Sequence, residues 1–337
     1  MTWKANAAAI AIFSGLTAPA LADDVADFYR GRNVSMVIGY TAGGGYDLYA
    51  RLLARHMHKH IPGNPTIVPQ NMPGAGSLKA ANFLYSLAPK DGATIGTVSR
   101  AMATDPLLGE SKFDPRKFTW LGSTTSETSV CAMWHTSPVK TWADMFGKTF
   151  TMGGSAPGSE PDTFTLLLKN VFGAKVKLVT GYPGGSDINL AIERGEVDGR
   201  CGWSWSSIKS QRLEWVQEKK ISLLLQLAMT KNPDLPDVPL LLGFAQSEEQ
   251  RQIVRLVLAS LVLGRPFFGP PGIPDDRKAA LRRAFDETMK DPAFLEEAAR
   301  LDLEIAPVTA VSIDELLAEL YRTPKDVVEK AAAGVRK

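Results

Sequence analysis

Three consecutive glycines, Gly43, Gly44 and Gly45, followed at once by Tyr46 and Asp47, carry the clearest chemical signal in the chain. Glycine permits positive φ and lets another group approach the main chain closely. Where a strand ends and a helix begins, such a run exposes unpaired N–H groups at the positive end of the helix dipole, an anion site. The amides of Gly44, Gly45 and Tyr46 would accept a carboxylate. Asp47 has the wrong charge for that ligand, so it either caps the helix or meets an amino or hydroxyl group of a solute. A nucleotide loop does not fit. A phosphate loop needs Lys and Ser or Thr after its last glycine, and the spacing G-x-G-x-x-G is missing.

The same device recurs at Pro73-Gly74-Ala75-Gly76-Ser77, at 153–158 and at Gly184-Gly185. Ser77 and Ser159 are placed to cap the helices that follow. The turn Ser155–Ser159 offers a second set of amides from the other half of the chain. Arg100 ends an expected strand, where α/β sheets present ligand residues, and is either a bidentate carboxylate partner or a surface arginine. Trp203 and Trp205, two apart on an expected strand, share a side, and either line a pocket for a flat solute or pack in a core. Glu160, Asp162 and Asp187 stand at helix starts, as an acid pair or as caps. His56, His58 and His60 read as a solvated helix end with no acidic partner rather than a metal site. No G-x-S-x-G elbow occurs, and no catalytic centre or cofactor is expected.

These residues need a frame. Apolar runs at 34–38, 66–70, 93–99, 130–134, 149–152, 176–180 and 221–229 read as strands, with a further strand entering Trp203. Helical periodicity lies between them, as in Tyr49, Leu52, Leu53, His56 and Met57. The alternation points to an α/β fold built from parallel βαβ units. "TKNPDLPDVPLLLGFA" reads as a linker and "GRPFFGPPGIPDD" as a rigid proline loop. Helices are expected at 248–263, 276–290, 292–301 and 312–321. The first 22 residues have a basic start at Lys4, a short apolar stretch and Ala20-Leu21-Ala22, the pattern of a signal peptide cleaved after Ala22. The net charge of +2 would then lose Lys4, and so small a charge does not suggest a nucleic-acid partner. Cys131 and Cys201 either form a disulfide in an oxidising space or are two small buried hydrophobes.

The motifs in order, "GYTAGGGYDLYARLLARHM", "NMPGAGSLKAANFLY", "PKDGATIGTVS", "GSAPGSEPD", "YPGGSDINLAIERGEVDG" and "DLPDVPLL", resemble the tripartite tricarboxylate transporter substrate-binding family, the Bug-type periplasmic receptors. The resemblance runs from about Phe28 to the end. It implies a type II periplasmic-binding fold of two α/β domains joined by crossovers, with a small carboxylate bound between them and no cofactor. Domain 1 is expected at 23–123 plus 245–337 and domain 2 at 124–244. The resemblance implies a ligand held near the two glycine turns of the first domain, and the candidate ligand residues there are Tyr40, Ala42, Gly43, Gly44, Gly45, Asp47, Pro73, Gly74, Ala75, Gly76 and Ser77, with Arg100 added from its place at a strand end. Ser155, Ser159, Gly184, Asp187 and Trp203 face them from the second. The chain departs from the family pattern at Tyr40-Thr41-Ala42, at Ser77, at Arg100 and in "RCGWSWSS". The implied partners are a carboxylate solute and the membrane subunits of the transporter, and a monomer in the periplasm is expected. A secreted α/β enzyme using the same cleft, or a receptor feeding a sensor, are the alternatives.

Overall fold

The computed structural model describes residues 21–109, 111 and 113–336. The leader expected at 1–22 falls almost wholly outside the described residues. Two sheets organise the chain. The first contains β1 (Asn33–Ile38), β2 (Thr66–Asn71), β3 (Thr94–Thr97), β4 (Thr119–Ser123), β10 (Pro266–Gly269) and β11 (Val308–Thr309), in the order β11-β4-β10-β3-β1-β2. The second contains β5 (Ser129–Trp134), β6 (Phe150–Gly153), β7 (Val176–Val179), β8 (Gly199–Ser204) and β9 (Ile221–Leu227), in the order β7-β6-β8-β5-β9. Strands β1, β2 and β3 are parallel, as expected from their intervening helices. The later strands β10 and β11 enter the first sheet antiparallel.

β10 lies inside the segment that reads as a proline loop. Pro266 is its first residue, a position where the missing N–H is tolerated, and Phe267 and Phe268 are fully buried between β3 and β4. β8 stops at Ser204, and Trp205 opens the helix Trp205–Gln211, so the two tryptophans do not share a strand. Both nevertheless enter one core cluster with Trp215 and Ile208.

The helix Gly45–Met57 follows the first glycine turn and buries Tyr49, Leu52, Leu53 and Met57. The helices Asp275–Thr288 and Pro292–Arg300 pack against it. Two helices of the segment 245–337 go elsewhere. Val254 and Leu258 of Glu248–Leu258, with Ala331 and Val335 of Lys325–Val335, join Phe164, Leu167 and Leu168 in the core of the second sheet. Their apolar faces are buried on that lobe, and the chain crosses between the sheets once more than a simple two-crossover division requires.

Cys131 and Cys201 form a disulfide between the neighbouring strands β5 and β8, 70 residues apart in sequence. Both are fully buried. A cross-link over a loop of that length stabilises by roughly 2–5 kcal/mol. The Cys131→Ala/Cys201→Ala variant should lose about that much stability in urea titration, and a loss below about 0.5 kcal/mol would deny the bridge its structural weight.

Candidate functional site

The loops at the ends of β1 and β8 face each other across a cleft between the two sheets. From the first sheet come Tyr40, Thr41, Gly44, Gly45 and Tyr46; from the second come Ser155, Glu160, Ser186, Asn189, Arg200, Trp203, Ser204, Ser207 and Gln211, with Arg265 reaching in from the crossover. The cavity they enclose is small, about 70 Å³. Tyr40 and Tyr46 stack, with ring centroids 4.8 Å apart. Burial pushes both phenols above their ordinary value, so they remain hydroxyl groups.

Three buried arginines surround this space, and their partners differ. Arg100 uses Nε and Nη2 on both carboxylate oxygens of Glu160. It also donates to Ser129 Oγ at 2.8 Å, Gly264 O at 3.0 Å and Ser204 Oγ at 3.3 Å. Burial works against its charge most strongly, but Glu160, Tyr46 and Glu127 together outweigh it and hold Arg100 above its ordinary value. The guanidinium is saturated by protein, so the expected role of Arg100 as a solute partner is replaced by an ion pair across the lobes. Arg265 donates to Ser207 Oγ at 2.8 Å and Ser204 Oγ at 3.1 Å, and lies 3.5 Å from Glu127. Among the described residues Arg200 has no carboxylate within ion-pair distance, although the Glu160 charge still favours it from further off. It donates to Gly185 O at 2.9 Å and Asn189 Oδ1 at 3.1 Å, and its buried Nε has no partner. Burial brings its pKa down to about 10, which leaves it a cation at neutral pH.

The other expected residues divide clearly. Tyr40, Gly44, Gly45, Ser155 and Trp203 line the cleft. Gly44 has φ −84°, and a methyl there would make only ordinary contacts with Thr41 O and Ser186 Oγ, so it is Gly45 that is tight: a methyl there would lie 2.3 Å from Ser207 Oγ and 2.9 Å from Arg265 Nη2. Asp47 turns back, accepting from Gly43 N at 2.9 Å, Arg51 Nε at 2.9 Å and Asn71 Nδ2 at 2.8 Å. It braces the glycine turn that contains Ala42 and Gly43. Pro73, Gly74, Ala75 and Gly76 do not line the cavity; a methyl at Gly76 would lie 2.8 Å from Ser159 Cβ of the other lobe, while one at Gly74 would meet Lys79. Ser77 accepts from Ser99 N instead of capping its helix, and Ser159 accepts from Ala156 N. Asp187 stands beside Gly184 at the rim, where Thr41 Oγ1 donates to it at 3.1 Å across the cleft.

The histidines do have acidic partners. His56 pairs with Glu297 at 2.6 Å and His60 with Asp291 at 3.0 Å, both outside the cleft. A larger cavity of about 620 Å³ lies on the far side of Glu160. It is mainly apolar, and burial raises its Asp105 carboxyl, the opposite of an anion-favouring environment.

The model of the tripartite tricarboxylate transporter family receptor matches residues 49–332. The chain belongs to that family. It is 27% identical over 336 residues to a Cupriavidus necator protein described as "UPF0065 protein in gbd 5'region", covering 97% of this chain and 95% of the relative. An Agrobacterium vitis UPF0065 protein is 25% identical over 284 residues, covering 82% of this chain and 76% of the relative. Among solved structures, the periplasmic binding protein BugD superposes with a TM-score of 0.72 at 18% identity, covering 90% of this chain and 98% of BugD. MatC from Rhodopseudomonas palustris, solved with bound malate, gives 0.69 at 21% identity, covering 88% of this chain and 99% of MatC. A second R. palustris protein, solved with adipate, gives 0.67 at 19% identity, covering 90% and 97% of the two chains. These likenesses show the fold: two α/β lobes with a cleft between their sheets.

Sequence reasoning singled out Arg100 and passed over Arg200. Arg200 sits on β8, four residues before the end of the strand, in the segment that departs from the family pattern, and only its place near Trp203 hints at the cleft. Two stability tests follow from this wiring. Glu160→Gln leaves Arg100 buried without its counter-charge and should cost about 3–5 kcal/mol in urea titration, with Arg100→Met added to Glu160→Met recovering most of it. Asp47 has a depressed carboxyl because the bonds from Arg51, Gly43 and Asn71 outweigh burial, which alone would raise it. Its stabilisation is therefore full above pH 3.8 and is lost as the pH falls through the lower folded-state value. Asp47→Asn should differ from the wild type in melting temperature at pH 7 and converge on it in acid.

Proposed function

We propose that this receptor captures a small carboxylate between its lobes in the periplasm and presents it to the membrane subunits of a tripartite transporter. The observation that carries the ligand class is Arg200, a buried cation on the cleft wall with no direct ion pair among the described residues. A buried charge without a counter-ion is costly, and an anionic solute would supply the missing partner. The amides of the Gly44-Gly45 helix start, on the opposite wall, favour the same sign of charge. Structural relatives solved with malate and adipate support the reading.

The lobes are read as 23–123 with most of 245–337, and 124–244, moving as rigid parts about the crossovers. The segments 124–128 and 259–265 run together there, with Thr124 N donating to Arg265 O at 3.1 Å and Glu127 N to Leu261 O at 2.9 Å. A binding role is favoured over catalysis because the histidines His56, His58 and His60 are held by Glu297, Asn64 and Asp291, away from the cleft.

Native mass spectrometry of freshly purified receptor should reveal a co-purified small carboxylic acid, and calorimetry with that acid gives its affinity. Gly45→Val places a branched side chain against Ser207 and Arg265 and should weaken binding by roughly tenfold or more with the fold intact. Gly44→Ala should change affinity little. Unchanged affinity in Gly45→Val would move the solute out of this cleft.

A further inference from the structure

The charges around the cleft can be counted. Arg100 faces Glu160, and Arg265 has Glu127 at 3.5 Å. Glu127 also accepts from the amide and hydroxyl of Ser206, which fixes it beside Arg265. Arg200 remains as one uncompensated buried cation. At the rim stands another carboxylate, Asp187, held by Thr41. A solute with one carboxylate brings this buried set to neutrality. A solute with two leaves a second anion that no further cation of the set receives.

The cleft also has donors without acceptors. Arg200 Nε, Arg265 Nε and Gln211 Nε2 are buried and find no partner among the described residues, and all three side chains line this one cavity. Ser155 and Ser186 add hydroxyl groups to its wall. A buried donor left unpaired is costly, so a solute rich in oxygen acceptors gains what an alkyl chain cannot supply. The small volume, about 70 Å³, favours a short molecule.

Resting on the carboxylate-receptor reading above, we infer that the solute is a short hydroxylated monocarboxylate, with its carboxylate on Arg200 and its hydroxyl oxygens within reach of Gln211 and Arg265. Arg200 and Gln211 are then the residues that set specificity. Arg200 selects the single charge, and Gln211 rejects the deoxy analogue because its amide would stay unpaired.

Calorimetry on the intact mature receptor tests this with glycerate, propionate, malate and succinate. Glycerate should bind at least roughly tenfold tighter than malate or succinate, whose second carboxylate has no cation. It should exceed propionate by at least roughly tenfold, since propionate lacks the hydroxyl groups. Arg200→Gln should weaken glycerate roughly a hundredfold. Gln211→Leu should narrow the gap between glycerate and propionate, with circular dichroism and the melting curve confirming that each variant is folded. Malate or succinate binding as tightly as glycerate overturns the inference and leaves the carboxylate receptor standing. A folded Arg200→Gln variant with wild-type glycerate affinity overturns the assignment of Arg200. Binding of none of the four acids overturns the inference, and a native mass spectrum of the same preparation then decides the broader reading. A co-purified acid of another class preserves that reading, and a non-acidic ligand removes it.

Discussion

The bidentate pair between Arg100 and Glu160 is the contact on which the cleft depends. It joins the end of the third strand of one lobe to the first turn of a helix in the other, and both groups are buried. A pair of this kind adds little net stability over an apolar contact, but either half alone is strongly unfavourable. Its effect is therefore on arrangement. With Arg100 engaged, its backbone N–H donates to the Tyr46 hydroxyl at 3.0 Å, which fixes the aromatic stack with Tyr40. Ser204 is shared between Arg100 and Arg265, so the two cations are wired through one hydroxyl. What is left over, electrically, is Arg200.

That wiring explains what could be read from the chain and what could not. The glycine turns, the parallel first three strands and the helix after Gly45 follow from local rules: apolar period, glycine position and capping. The identity of the solute-facing cation does not. Arg100 and Arg200 both end or occupy strands of suitable polarity, and nothing local distinguishes a paired guanidinium from an unpaired one. The partner of Arg100 is 60 residues away, on another lobe. The PGAG turn misled for a similar reason. Its glycines permit close approach, but the group that approaches Gly76 is Ser159 of the other lobe, and Gly74 is met by Lys79. Strand β10 was hidden because its two phenylalanines are bounded by prolines, and only the neighbouring strands turn that stretch into sheet. For Asp47 the bland alternative was nearer: its carboxylate is consumed by the turn it stands behind.

The disulfide and the salt bridge divide the work of rigidity. The disulfide ties neighbouring strands within one sheet, directly beside the residue that is left charged, so the position of Arg200 is set by covalent as well as hydrogen-bonded neighbours. The ion pair acts between sheets. A receptor that must both hold and release its cargo needs these two kinds of link in different places.

The C-terminal helix Lys325–Val335 adds a kinematic constraint. It lies on the second lobe, while Arg336 beyond its end donates to the carbonyls of Leu108 and Gly109 in the part of the chain that carries the first sheet. Two bodies joined at two points swing freely about the line through them. For lobes moving as rigid parts, a third tether off that line locks the swing, so motion requires the tether to lie close to the hinge line. Such a joint behaves like a door on a three-leaved hinge, with little wobble. The rim contact between Thr41 and Asp187 would then meet again in the same register at every closure.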